Sequence, residues 1–344
     1  MVSFALLAAA CSDPPPTASE TAAPRTPAPT KSAPVARAGR CVVPDRAAPP
    51  EAKPHYSMRI EISPGSRSVT GTSEVRFVAE RAVRRLVFRL WPNGPRLASA
   101  GTALVVEEAR LTSGDATVER PDPTTLVFDL DERLSPGESA DAVMQWRLDL
   151  PGAVYDRISQ NGNAVRLGSF FPILSWEGER GWATDAPTTT LAESSTSPTA
   201  DFDVEITVPP GLDVIGTGEE GPGRWEARDV RDFAVAAAEF DVVRETVDAP
   251  RPVEVTVGVA AGLDADPREF RDAISRALRD LSGRYGDYPW STFSMAIMPD
   301  LERSGIEYPS MVFQGDGSLR TATTHEVAHS WFYGLVGNNQ ARDP

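Results

Sequence analysis

Three residues near the end of the sequence have the types and the spacing of a metal site. His325 and His329 are four positions apart, so a helix places both imidazoles on one face. Two imidazole nitrogens placed in this way can bind one Zn²⁺ at about 2.0–2.1 Å. Glu326 leaves the helix beside them, where it can hold the water that the metal activates. The segment therefore predicts metal-assisted hydrolysis with Glu326 as the general base.

These residues form the pattern HExxH, which also occurs by chance on buried helices. The whole chain contains only three histidines, and two of them belong to this pattern, so chance is a poor explanation. A threonine at 321, 323 or 324 can cap the N-terminus of the predicted helix. Five apolar positions give the helix a face to bury: Ala322, Val327, Ala328, Trp331 and Phe332.

A zinc peptidase needs a third protein ligand, and the position of that ligand separates the subclasses. A metzincin would have Gly at position 332 and His at position 335, but the chain has Phe332 and Leu335. The other common arrangement takes a glutamate from a following helix, and no glutamate stands between Glu326 and Pro344. The residues themselves thus provide two ligands and no third.

The sequence from His325 to Gln340, HEVAHSWFYGLVGNNQ, resembles the zinc helix of the aminopeptidase N family, the gluzincin aminopeptidases. In that family the HExxH motif is followed by 18 residues and then by the glutamate ligand. The resemblance implies a ligand at position 348, past Pro344, and an oxyanion-stabilising tyrosine further on. It implies one Zn²⁺ per chain, and it predicts that residues 1–344 alone are a truncated zinc aminopeptidase with little or no turnover.

A second motif, Ser304–Pro309, resembles the G-x-M-E-N exopeptidase signature of the same family in a variant that ends in Glu-Tyr-Pro. The resemblance implies that Glu307 binds the α-amino group of the substrate, a charge pair that measures one residue from the scissile bond. It also implies that backbone near Gly305 pairs with the peptide as an added strand. The motif departs from the family at Ser304, Ile306 and Tyr308. An isolated loop glutamate is usually an exposed charge, but the nearby HExxH favours the functional interpretation.

Composition and charge narrow the classes of partner. The chain has 344 residues and a net charge of −15, which argues against nucleic acid as a partner. The family resemblance implies peptides as the substrates. The length suggests two folded domains.

The N-terminal segment predicts export and a lipid anchor. An apolar run, Val2–Ala10, ends at Cys11. This run is too short to span a bilayer and is typical of a secretory signal. The small residues before Cys11 resemble a bacterial lipoprotein cleavage site, so we predict that Cys11 is lipidated and holds an extracytoplasmic protein at the cell surface. Cys41 then has no cysteine partner.

Four segments are predicted: a signal at 1–11, a disordered Pro/Ala/Thr-rich linker at 12–50, an antiparallel β domain at 51–247 and an incomplete α+β domain at 248–344. Alternating apolar residues from Tyr56 to Ile62 are typical of a half-buried strand. The family resemblance implies a saddle-like β domain followed by the start of a thermolysin-like domain. In that second domain, Asp266 caps a helix whose apolar stripe is Phe270, Ile274, Ala277, Leu278, Leu281 and Tyr285.

Two alternatives stay open from the sequence. The chain is a non-catalytic surface protein that binds peptides through its β domain, or it carries endopeptidase or epoxide-hydrolase-like activity on the same metal scaffold. The intact set of His325, Glu326 and His329 speaks against the first alternative, because a relic site would usually lose one of the three.

Overall fold

A computed structural model describes residues 52–178, 180–189 and 197–337. The predicted signal and linker segments, with Cys11 and Cys41, lie outside these residues. No helix in the described part of the chain combines the length and the apolar character needed to cross a bilayer.

Strands dominate the fold. The first eleven strands are β1 (His55–Ser63), β2 (Ser68–Val78), β3 (Val83–Arg89), β4 (Ala103–Leu111), β5 (Ala116–Asp122), β6 (Thr125–Leu134), β7 (Ser139–Asp149), β8 (Ile158–Asn161), β9 (Ala164–Leu167), β10 (Ile173–Leu174) and β11 (Trp176–Glu177). The next eleven are β12 (Gly181–Trp182), β13 (Ala200–Thr207), β14 (Asp213–Gly216), β15 (Glu219–Gly221), β16 (Arg224–Val230), β17 (Val235–Ala238), β18 (Phe240–Ala249), β19 (Arg251–Ala260), β20 (Thr292–Ile297), β21 (Gly305–Tyr308) and β22 (Met311–Gln314). The α-helices in the described residues are α1 (Pro95–Ser99), α2 (Pro267–Tyr285) and α3 (Thr323–Ala328).

The alternating pattern at the start of the β domain is confirmed. In β1 the apolar side chains are buried and the residues between them are exposed, as a strand with one face on a core requires. The 3₁₀ turn Pro64–Ser66 returns the chain into β2, which pairs antiparallel with β1. Local periodicity was therefore sufficient to predict β1.

The β part contains a seven-stranded sheet in the order β15-β16-β13-β1-β2-β7-β4 and two four-stranded sheets, β10-β3-β6-β5 and β14-β17-β9-β8. The prediction of a wholly antiparallel domain is wrong at one place, because β1 and β13 are parallel, with Met58 opposite Val204. Parallel neighbours need a long crossover connection. The chain between Ser63 and Ala200 provides it, and no local pattern in the sequence reports such a pairing.

A mixed five-stranded sheet, β18-β19-β20-β22-β21, forms the second part of the fold. The pairs β19–β20 and β20–β22 are parallel, and β21 is the edge strand, antiparallel to β22. Strands β17 and β18 follow each other closely along the chain but belong to different sheets. The predicted domain boundary at 247/248 falls inside β18.

Helix α2 covers this sheet. Asp266 caps its N-terminus by accepting a 2.8 Å hydrogen bond from the backbone N–H of Arg268. The predicted stripe is buried from Phe270 to Leu281, but Tyr285 is 45% exposed and so does not belong to the core. Gly286 ends the helix and Gly283 lies within it.

Candidate active site

Helix α3 carries His325 and Glu326 of the HExxH motif, and packing and hydrogen bonds hold this segment in place. Val327 and Trp331 are buried in the same core as α2, and the Trp331 indole N–H donates to the carbonyl of Gly286 at 3.0 Å. The predicted threonine caps are wrong, because the residue before the helix is Ala322 and no side chain caps it. Thr323 instead accepts a 2.8 Å hydrogen bond from Gln314 of β22, so its hydroxyl fixes the helix to the sheet.

The two histidine rings face each other as metal ligands would. His329 follows α3 directly with helical φ and ψ of −61° and −17°, so it keeps the one-turn spacing from His325. The two Nε2 atoms lie 3.1 Å apart. Two ligands of a tetrahedral zinc with bonds of about 2.05 Å lie about 3.3 Å apart. The described residues therefore fit a zinc ion between these two nitrogens.

A backbone contact orients His329 for this role. Its Nδ1 lies 3.1 Å from the carbonyl oxygen of Phe332. Because a carbonyl only accepts, the Nδ1–H donates and Nε2 is left with its lone pair. Hydrogen bonds of this kind hold the ring and raise the basicity of the ligating nitrogen.

Glu326 lies beside the histidines and is buried from solvent. Its side chain is only 4% exposed, and its Oε2 has no hydrogen-bond partner among the described residues. Burial, together with the negative charge of Glu307, raises the pKa of Glu326 to about 8, against a smaller lowering by Arg157. Gly305 makes room for this carboxyl, because a Cβ at position 305 would lie 2.4 Å from Glu326 Cδ. The carboxyl group therefore has lone pairs available and readily holds a proton.

Glu307 belongs to the same cluster. It lies on the edge strand β21 and is buried. One ligand atom each of Glu307, Glu326 and His329 lies within 4.8 Å of the others. His325, which the sequence placed in the metal set, is not part of this group of three. It adjoins the group through His329, since the two Nε2 atoms lie 3.1 Å apart. Gly305 begins the same edge strand.

A half-buried arginine from the β part, Arg157, reaches this cluster. It directly precedes β8, and its Nη1 donates to the hydroxyl of Tyr308 at 3.3 Å. Burial by itself would lower the pKa of Arg157. Electrostatic attraction of its positive charge to Tyr308 and Glu307 outweighs this effect, so the pKa is raised. Nothing in the sequence distinguishes Arg157 from the other arginines of the chain, so sequence reasoning missed it.

A fully buried carboxylate, Asp232, lies near enough to be affected by the charge of this arginine. It accepts a 2.6 Å hydrogen bond from the Ser169 hydroxyl and a 2.7 Å bond from the backbone N–H of Phe233. Burial raises the pKa of Asp232 to about 6, although both hydrogen bonds and the charge of Arg157 favour the ionised form. Sequence reasoning missed Asp232 as well, since the acidic residues of the chain are mostly exposed.

Comparison with known proteins decides the fold. No family model matches the chain. The crystal structure of the M1 zinc metallopeptidase from Deinococcus radiodurans superposes with a TM-score of 0.61, with 18% identity over 84% of this chain and 66% of that one. A mutant of the same enzyme, bound to a Tyr-Ser-Ala substrate, gives the same values.

The fold is that of the M1 zinc metallopeptidases. Aminopeptidase B from Homo sapiens is 32% identical over 83 residues, and the Rattus norvegicus protein is 31% identical over 83 residues. Each match covers 22% of this chain and 13% of the relative. The chain spans just under two thirds of the solved M1 structures. The resemblance predicted from the two sequence motifs is confirmed.

The buried Asp232 gives this M1 fold a testable pH dependence. The folded-state pKa of Asp232 is about 6, above the usual 3.8. The protonated carboxyl group therefore stabilises the folded protein fully below about pH 4. This stabilisation is lost as the pH rises through 6. The loss is about 3 kcal/mol. Asn at position 232 carries no charge. Its Oδ1 can accept from the Phe233 N–H, and its Nδ2–H can donate to the Ser169 hydroxyl, which then becomes the acceptor. We expect Asp232→Asn to gain free energy of unfolding relative to the wild type between pH 4 and 7, measured by urea denaturation.

The exposed Asp264 provides the control for this experiment. Asp264→Asn is expected to follow the wild-type pH profile, because its carboxylate is solvated in both states. A profile of Asp232→Asn parallel to that of the wild type would contradict the assignment of a buried, titrating carboxylate.

Proposed function

We propose that this protein is a zinc-dependent aminopeptidase that removes N-terminal residues from peptides. The observation that carries the proposal is the pair of facing Nε2 atoms of His325 and His329 beside the buried, unpartnered carboxyl of Glu326. Zinc metallopeptidases among the solved structures and aminopeptidase B among the curated relatives support the same chemistry.

Each side chain of the cluster has a distinct role in this proposal. His325 and His329 bind Zn²⁺, which when bound lowers the pKa of a water and polarises the scissile carbonyl. Glu326 is the general base. It takes a proton from the attacking water and delivers it to the leaving amine.

Glu307 and Gly305 bind the substrate in this proposal. The carboxylate of Glu307 pairs with the α-ammonium group of the peptide, and its proximity to Glu326 and His329 sets the distance from that group to the reacting bond. The backbone of the edge strand β21 at Gly305 is available to pair with the peptide as an added strand. Such an arrangement excludes peptides whose N-terminus is blocked.

The architecture and the location of the protein complete the proposal. The seven-stranded sheet belongs to a saddle-like N-terminal domain, and β18–β22 with α2 and α3 open a thermolysin-like catalytic domain. Cys11 is lipidated after export, and the segment 12–50 is a spacer between the membrane and an extracytoplasmic peptidase. The membrane is therefore a partner through lipid, and nucleic acid is not a partner.

Removal and return of the metal tests the zinc dependence. In the full-length protein, dialysis against a chelator is expected to abolish hydrolysis of a peptide with a free N-terminus, and one equivalent of Zn²⁺ is expected to restore it. The measurements are product formation by chromatography and metal content by atomic absorption. His329→Ala is expected to lose both zinc and activity. Full hydrolysis by metal-free protein would contradict the proposal.

A further inference from the structure

Arg157 and Tyr308 connect two distant parts of the chain at the candidate site. They are 151 positions apart, and the arginine Nη1 donates to the tyrosine hydroxyl at 3.3 Å. The guanidinium carbon also lies 5.7 Å from the centroid of the tyrosine ring, within reach of a cation–π interaction. Since Tyr308 follows Glu307 directly on β21, this contact fixes the strand that carries Glu307.

Gly168 provides the space for this contact. A Cβ at position 168 would lie 1.7 Å from the Tyr308 hydroxyl oxygen and 2.1 Å from its Cζ. The Gly168 N–H also donates to the carbonyl of Arg157 at 3.1 Å. The tyrosine hydroxyl therefore lies between the Gly168 backbone and the Arg157 guanidinium. Any side chain at position 168 would occupy the space that this hydroxyl fills.

The backbone that carries Arg157 is itself fixed. The buried Arg166, on β9, donates to the carbonyl of Asp156 at 2.8 Å and to that of Pro299 at 2.6 Å. Asn161 donates to Asp300 at 3.1 Å. These bonds hold the β8–β9 hairpin against the loop before β21. Arg157 thus approaches Tyr308 from a rigid support, as a residue that positions another must.

Arg157 also balances the acidic groups around it. Its positive charge favours the ionised forms of Glu326 and Asp232, and it attracts Glu307 in turn. Successive strand residues point to opposite faces, so Tyr308 projects away from the face of β21 that carries Glu307. The tyrosine is thereby free to bind the β part while the glutamate lies against Glu326 and His329.

We propose that Arg157 and Tyr308 are positioning residues that hold the Glu307 carboxylate where it receives the α-ammonium group of a peptide. This inference rests on the proposed function, because it assigns the pair a purpose only if Glu307 binds that group. It gives a physical role to the tyrosine that stands where the family signature has asparagine. The β part of the chain then contributes to recognition of the substrate N-terminus.

The test uses titration calorimetry to compare the affinities of the peptide Ala-Ala-Ala and its N-acetyl form. Every protein in the comparison also carries Glu326→Gln, so that the free peptide is not hydrolysed during the titration. The wild type is expected to prefer the free peptide, and Glu307→Gln is expected to lose this preference. Tyr308→Phe removes only the hydroxyl and is expected to reduce the preference about fivefold, the effect of one hydrogen bond near a charge. Arg157→Met is expected to reduce it about tenfold, and Arg157→Lys, which keeps the charge, is expected to restore part of it.

Tyr155→Phe is the matched control, since Tyr155 is exposed on the same loop and the substitution is expected to leave the preference unchanged. Affinity for the acetylated peptide is expected to stay constant in all variants. If Glu307→Gln loses the preference while Tyr308→Phe and both Arg157 variants keep it, the inference is overturned and the proposed function stands. If the wild type shows no preference, both fail.

Discussion

Replacing Glu326 with glutamine is expected to lower peptide hydrolysis by about 10²–10⁴-fold, the usual contribution of a general base. Glutamine has nearly the same shape and therefore preserves the packing against Gly305, but it cannot take a proton from water. Peptide affinity is expected to change little, because the proposal assigns binding to Glu307 and to the strand edge. The measurements are turnover at saturating peptide and the dissociation constant from calorimetry.

The surface residue Glu269, in the first turn of α2, provides a matched control for this substitution. Glu269→Gln is expected to retain wild-type turnover. Unchanged hydrolysis by Glu326→Gln would remove the general base from the proposal. Unchanged peptide binding by a protein with no hydrolysis in either form would favour the non-catalytic peptide-binding alternative.

Replacing Gly305 with alanine is expected to lower turnover about 100-fold without unfolding the protein. The new methyl group would lie 2.4 Å from Glu326 Cδ and 2.5 Å from its Oε1, so the carboxyl group must move. It is the end of a flexible side chain and can move without disturbing the backbone. A misplacement of about 1 Å in a catalytic group costs about 10²-fold in rate. Turnover and thermal unfolding, measured on the same preparation, separate the two effects.

Ser304→Ala is the control for this second prediction, since it alters the preceding residue without adding an atom near Glu326. It is expected to have wild-type turnover. Wild-type turnover in Gly305→Ala would mean that the position of the Glu326 carboxyl does not limit catalysis. A large fall in the unfolding temperature would mean that the glycine serves the fold instead.

The parts of the site that the sequence predicted are those encoded by near neighbours along the chain. His325, Glu326 and His329 are joined by the helical repeat, and Glu307 lies in a short motif close to them. The β1–β2 hairpin and the cap of α2 by Asp266 likewise depend on residues only a few positions apart. Regular local geometry makes such features readable from one sequence.

The parts that the sequence did not predict depend on contacts between distant residues. Arg157 meets Tyr308 across 151 positions, and β1 pairs in parallel with β13 after a long crossover. Asp232 is buried because of the sheets that surround it, and one aspartate among many acidic residues carries no sign of that burial. Tyr285 continued the apolar stripe of α2, but its ring packs on exposed Phe332 at 4.9 Å instead of entering the core.

The β part of the fold contributes to the site as well as supporting it. Arg157 comes from a segment that precedes the five-stranded sheet, and its charge acts on Glu307 and Glu326. The site residues of the two motifs lie on β21, on α3 and directly after α3. The candidate site therefore depends on both parts of the described chain.

The most direct test of the aminopeptidase proposal is the identification of products from one peptide in two forms. The zinc-loaded protein is incubated with a peptide that has a free N-terminus and with the same peptide acetylated, and the products are identified by mass spectrometry. We predict that the free peptide loses its first residue and that the acetylated peptide stays intact. Cleavage of both forms at an internal bond, or of neither form, would contradict the proposal.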